Sequence, residues 1–134
     1  MRRFLLAAVA GMILSGPLMA DTKDDVTGVI QSQIEAFKVD DFETAFTFAA
    51  PGIKRMFGSS DRFGMMVQQG YPMVWRPGRV DYLDLREGPT GPVQRVMITD
   101  QAGRTHLLDY FMSPSDNGWQ ISGVQFVQAP GIGA

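Results

Sequence analysis

No cysteine occurs anywhere in the 134 residues. That removes disulfides, thiolate nucleophiles, thiolate metal ligands and a lipid-anchored N-terminal cysteine together. Histidine is nearly as scarce, with His106 the single example. One histidine and no cysteine are too few soft donors for a zinc site, so neither a metal nor another cofactor is expected. A basic excess is also missing: the net charge is −2, and subtracting Arg2 and Arg3 takes it to −4. An acidic chain without a basic patch argues against nucleic acid and against anionic membrane surfaces as partners. No Gly-rich phosphate loop, nucleophile elbow or paired-carboxylate motif is visible.

Long apolar runs are absent too. The longest, Phe4 to Leu14, has eleven residues, against about twenty for a membrane-spanning helix. It follows Met1-Arg2-Arg3 and is broken by Ser15-Gly16-Pro17 before Leu18-Met19-Ala20. A charged start, a short apolar run and a small final residue predict a secretory signal peptide over 1–20, cut after Ala20. The expected address is periplasmic or secreted, with no stable membrane insertion after cleavage. The remaining chain forms one domain, 21–128, with a disordered tail over 129–134 that contains Pro130, Gly131 and Gly133. Hydrophobic residues make up 45% of the chain, enough for a core that stands without disulfides at this size.

What is present reads as helices followed by strands. Val26, Val29, Ile30, Gln33, Ile34 and Phe37 recur at helical spacing, which predicts a helix from about Asp24 to Val39. Asp40-Asp41 restarts the pattern as a cap, with Phe42, Ala45, Phe46 and Ala49 on one face and Pro51-Gly52 as the stop. One further turn is expected over Ile53 to Phe57. Ser59-Ser60 caps a third helix that carries Phe63, Met66 and Val67 inward and ends at Gly70. Gly64 inside it costs about 1 kcal/mol relative to alanine. Tyr71 to Gly78 holds two prolines, two aromatics and an arginine, and is expected to be irregular.

From Val80 the period changes to two. Strands are predicted over Val80–Arg86, Val93–Thr99, Arg104–Met112 and Trp119–Val127, joined by Gly88–Pro92, Asp100–Gly103 and Ser113–Gly118. The last strand contains a phase change. Trp119 and Ile121 share one face, whereas Val124 and Phe126 fall on the other. A one-residue bulge at Ser122-Gly123, with glycine permitting it, would put all four toward the helices and bend the sheet. Trp119 is then expected deep in the core. The fold class is α+β: N-terminal helices packed on a curved four-stranded antiparallel sheet, forming a cone with one open end.

Several segments carry a resemblance. They are Ile34 to Phe46, Ala50-Pro51, Phe57-Gly58, Met66-Val67 with Gly70-Tyr71-Pro72, and Gly118-Trp-Gln-Ile-Ser-Gly-Val124. They resemble domain-of-unknown-function family 4864, a group of exported bacterial proteins. More broadly the chain is similar to the nuclear-transport-factor-2-like superfamily, which includes ketosteroid isomerase, limonene epoxide hydrolase and scytalone dehydratase. The resemblance implies the cone-shaped fold. It carries no activity over, because that fold hosts many.

Candidate chemistry gathers at few residues. Asp109 lies between Leu108 and Tyr110 in an apolar strand. Facing a pocket, it would have a raised pKa and suit a general base, with Tyr71, Tyr82 or Tyr110 holding an oxyanion. The ordinary alternative is that it faces solvent, as strand alternation allows. His106 shares the opposite face, which separates the two. The doublets Asp24-Asp25 and Asp40-Asp41 suit helix capping better than calcium. Methionines 56, 65, 66, 73, 97 and 112 are scattered, as core fillers are, rather than clustered for Cu(I). Tyr71, Trp75 and Arg76 sit where the chain enters the sheet. There they would form a binding lip for an apolar or anionic small molecule, with Asp109 outside it. The alternative is that Trp75 plugs the core and Arg76 snorkels. The favoured function is non-catalytic binding of a small ligand or a protein partner. The rivals are an isomerase- or dehydratase-like enzyme using Asp109 and a tyrosine, and a module that homodimerises through its exposed sheet face.

Overall fold

The computed structural model describes residues 15–128, with side chains from Ala20. Most of the expected signal peptide and the expected tail lie outside these residues. Helix α1 spans Ser15–Lys38, α2 Phe42–Thr47, α3 Pro51–Phe57, α4 Ser60–Gly70 and α5 Pro72–Trp75. The strands β1 Pro77–Gly88, β2 Gly91–Asp100, β3 Thr105–Ser115 and β4 Gly118–Phe126 follow. They pair in sequence order as one antiparallel sheet. The architecture is α+β, as the change of period requires.

Helix α1 begins nine residues before the predicted Asp24; among its described side chains the buried stripe runs from Val26 through Ile30, Gln33, Ile34 and Phe37. Its C-terminal end is a Schellman turn. The Asp41 amide donates to the Ala36 carbonyl at 2.9 Å and the Asp40 amide to that of Phe37 at 3.0 Å. Asp40 takes the left-handed position usual for glycine, with φ of 57°. Asp41 then caps α2, its carboxylate accepting from the Thr44 amide at 3.1 Å. The two aspartates therefore divide the work: one ends a helix and the next begins another.

Pro51 starts α3, and Gly58 ends it with φ of 81°. The Ser59 hydroxyl accepts from the Arg62 amide and caps α4. A phenylalanine cluster holds the helices together. Phe63 sits 5.2 Å from Phe46 and 5.9 Å from both Phe37 and Phe57, ring centre to ring centre. Gly64 lets α4 approach α2, since a Cβ there would lie 2.7 Å from the Phe42 ring.

In the sheet, β1 and β2 are longer than predicted, and the Gly88–Pro92 loop shrinks to Pro89-Thr90. The segment expected to be irregular holds the single turn α5, and β1 begins at Pro77. In β4, Phe111 pairs with Gly123 and Met112 with Ile121, so Ser122 is the extra residue of a bulge. Its hydroxyl donates to the Phe111 carbonyl at 3.0 Å. The bulge brings Trp119, Ile121, Val124 and Phe126 opposite Pro114, Met112, Tyr110 and Leu108, on the helix-facing side.

Two expectations about this strand need correction. Gly123 does not enable the bulge: its φ is not positive, and a Cβ would meet only Phe111 at an ordinary 3.8 Å. Trp119 is half-buried rather than deep, because it sits near the hairpin turn; Ile121 is the buried residue of the four. The edge of β4 is covered at Ile121, whose amide donates to the Phe48 carbonyl while its carbonyl accepts from the Ala50 amide, both at 2.8 Å. That contact closes part of an otherwise open sheet edge.

Candidate functional site

Between the helices and the β3–β4 half of the sheet lies an apolar cleft of about 240 Å³. Phe37 of α1, Ile53, Met56 and Phe57 of α3, and Phe63, Met66 and Val67 of α4 form its helical walls. Tyr110 and the bulged segment Ile121 to Val124 form its sheet wall, and Tyr71 and Val74 close one end. The bulge matters here because it turns Val124 to the same side as Ile121. Met56 stands 73% exposed at the lip, a large apolar side chain left in water beside an apolar hollow.

No charged side chain lines the cleft. Its polar groups are mostly satisfied within the chain. Gln33 donates its amide to the Ala45 carbonyl at 3.2 Å, and Ser122 is held by Phe111. The Tyr71 hydroxyl makes one long contact, 3.4 Å, to the Val124 carbonyl, and its ring stacks on Phe126 at 5.1 Å. Tyr110 is different: it is 1% exposed and its hydroxyl has no hydrogen-bond partner. Burial, with the neighbouring Tyr82 and Tyr71, pushes that hydroxyl far above the usual phenol range. It is a neutral donor at any physiological pH.

Of the three residues expected at the lip, the cleft contains Tyr71 and neither Trp75 nor Arg76. Those two close the end of α1. The Trp75 indole N–H donates to Asp40 Oδ1 at 2.9 Å, and Arg76 Nη2 donates to the same oxygen at 3.0 Å. Arg76 Nη1 donates to the Phe37 carbonyl at 2.8 Å, and its guanidinium stacks 4.1 Å above the Trp75 ring. A cation at a helix C-terminus and a second donor to one of its last carbonyls are both stabilising. Asp40, in its left-handed turn, is thus gripped from α5. The Trp75 and Arg76 bonds hold its carboxyl below the usual range. Trp75 and Arg76 therefore form a helix clamp and do not line the cleft.

Asp109 lies on the other face of the sheet, opposite Arg95. It faces away from the helices, as strand alternation allows and as expected outside the cleft, yet its side chain is only 7% exposed because Arg86 and Arg95 lie over it. It accepts from Arg95 Nε at 2.9 Å and Nη2 at 3.1 Å, and from Arg86 Nη2 at 2.9 Å. Burial alone would raise its pKa; the bonds from Arg95 and Arg86 outweigh burial and hold it below the usual carboxylate range. An ionised carboxylate locked by two arginines outside the cleft is no general base for a ligand within it, which removes the residue on which the isomerase-like alternative rested.

Tyr82 donates to Gln31 Oε1 at 2.7 Å and does not line the cleft; burial, then Glu35, pushes its hydroxyl up to about 12. His106 lies 2.9 Å from Asp100, at the β2–β3 turn. Among the described residues no three acidic or histidine side chains converge as a metal site, and no helix is long and apolar enough to cross a membrane. The lining residues that sequence reasoning passed over include Ile53, Met56 and Phe57, which carried no signal beyond being apolar; Tyr110 was named only as an oxyanion candidate.

The model of a family described as Domain of unknown function (DUF4864) matches residues 19–134. No curated protein and no solved structure matches the chain.

Proposed function

The chain belongs to the DUF4864 family, whose description assigns no activity, and from the cleft itself we propose that the protein binds a small apolar molecule without transforming it. The carrying observation is an apolar hollow of about 240 Å³ with no charged side chain in its lining. A cavity of about 150 Å³ accepts benzene, so by proportion this one accepts roughly ten non-hydrogen atoms. With Arg76 engaged at the end of α1, an anionic ligand has no counter-charge in the cleft, and the reading narrows to apolar ones. Homodimerisation through the outer sheet face is the lesser reading, since it would cover the Arg86–Asp109–Arg95 cluster and desolvate it further.

The proposal includes export to the periplasm or beyond. It rests on the charged start and short apolar run of residues 1–20, and on a family match that leaves the first eighteen residues outside. Among the side chains described, from Ala20 on, the buried positions of α1 begin at Val26, and all of these would survive cleavage after Ala20. Placement in the nuclear-transport-factor-2-like superfamily is proposed on the same footing, from helices set against a bulged antiparallel meander.

Native mass spectrometry of the exported protein tests the binding reading. The wild type should carry a neutral adduct in 1:1 ratio. Val124→Trp, which fills the cleft from the sheet side, should lose it while folding normally. An adduct that persists in the folded variant would put the ligand elsewhere and end the proposal.

A further inference from the structure

Gln33 is the polar member of the buried stripe of α1, set among Ile30, Ile34 and Phe37. It is 4% exposed and lines the cleft. Among the described residues its side chain makes one hydrogen bond, from the amide nitrogen to the Ala45 carbonyl. That bond ties α1 to α2 and accounts for the nitrogen. It leaves the oxygen, Oε1, without a partner in the chain. The unpartnered side-chain atoms that are sealed from solvent are Gln94 Oε1 and the Tyr110 hydroxyl. Gln33 Oε1 is not one of them, so the trace of surface this residue keeps includes its acceptor. The space that surface meets is the cleft. The amide is fixed in this sense, because turning it over would set Oε1 against the Ala45 carbonyl oxygen, acceptor to acceptor.

Resting on the cleft reading above, we infer that the ligand carries a hydroxyl on an apolar frame, as an alcohol or a phenol does, and that this hydroxyl donates to Gln33 Oε1. A pure hydrocarbon would exclude water from that oxygen and bury it unpaired, which costs more than a made bond returns. A ketone or an ether would set a second acceptor against the first. An anion would do the same in a lining without a cation, and an ammonium group would enter a lining without a carboxylate. A hydroxyl supplies the donor without the charge, and its apolar remainder suits the walls.

Isopropylbenzene, α-methylbenzyl alcohol and acetophenone test this, because they have equal numbers of non-hydrogen atoms. The second replaces a methyl by a hydroxyl, and the third can only accept. Each is titrated into wild type and Gln33→Met by amide NMR; comparing the two proteins cancels the different hydration of the probes. The preference for the alcohol over isopropylbenzene should be about fivefold greater in wild type than in the variant, the value of one net hydrogen bond. The preference for acetophenone should be no greater in wild type. An equal alcohol preference in both proteins, or an acetophenone preference that falls with the alcohol's, would overturn the hydroxyl assignment and leave the cleft reading standing. No saturable binding of any probe would overturn both. Gln33→Met also breaks the tie to Ala45, so wild type supplies a readout that needs no variant. The side-chain carbonyl carbon of Gln33 should move downfield on saturation with the alcohol and not with acetophenone; the same response to both also overturns the assignment.

Discussion

Replacing Gly64 by alanine sets two effects of opposite sign against each other. In a helix interior the change gains about 1 kcal/mol from backbone propensity. At Gly64 the new Cβ would lie 2.7, 2.8 and 3.0 Å from three carbons of the Phe42 ring. Those carbons are at the root of the ring, which is wedged 6.2 Å from Phe37, so the ring cannot simply swing away. Overpacking of this kind costs about 1–3 kcal/mol, and the middle of that range exceeds the propensity gain. The expected net loss is about 1 kcal/mol, or about 5 °C in Tm for a domain of this size. Gly28 of α1 is the control: it is exposed and a Cβ there meets nothing within 4 Å, so Gly28→Ala should gain up to about 1 kcal/mol. Thermal unfolding followed by circular dichroism reads both. In a Phe42→Leu background the Gly64→Ala penalty should shrink or change sign. If Gly64→Ala raises Tm as much as Gly28→Ala does, close α2–α4 packing is not what that glycine serves.

Asp109→Asn should destabilise by about 1–3 kcal/mol at neutral pH, below the full cost of breaking a buried pair because both arginines are partly exposed. The folded pKa of Asp109 lies below its unfolded value, which is about 3.9. Its contribution is therefore present above that value and lost as pH falls through the folded one. Urea titrations should show a constant gap between variant and wild type from pH 7 to about 5 that closes below about 4; a gap that widens in acid would reverse the assignment. Gly123→Ala should be neutral or stabilise by up to about 1 kcal/mol, since φ is ordinary and the new methyl meets only Phe111 at 3.8 Å. A marked loss of Tm would mean the bulge does depend on glycine.

Regular periodicity carried most of the fold. The stripe from Val26 to Phe37 and the alternation through Val93–Thr99 and Leu108–Met112 are burial patterns, and burial is what sets those elements. The Ser122 bulge was readable because apolar residues on both sides of it fall out of phase. Phase does not reveal which residue is extra or whether glycine is needed. The site was less legible, for a physical reason. Trp75, Arg76 and Asp109 were singled out by residue type, and type does not say who the partner is. Asp40, thirty-five residues before Trp75, and Arg86, twenty-three before Asp109, decide their roles through contacts that no local spacing encodes. The cleft itself is made by ordinary apolar residues whose only distinction is an absent neighbour, and a missing contact leaves no trace in a sequence.

The central claim is that this cleft takes up an apolar molecule. An amide ¹H–¹⁵N titration of the protein with isopropylbenzene tests it most directly. About ten atoms at roughly 0.5 kcal/mol each give a Kd on the order of 0.1 mM. Saturable shifts at Met66, Val67 and Tyr71 on the helical side and at Ile121, Ser122 and Val124 on the bulged strand are predicted. Arg86, Arg95 and Asp109 should stay unmoved on the far face. Shifts confined to that far face, or none at the solubility limit of the probe, would contradict it.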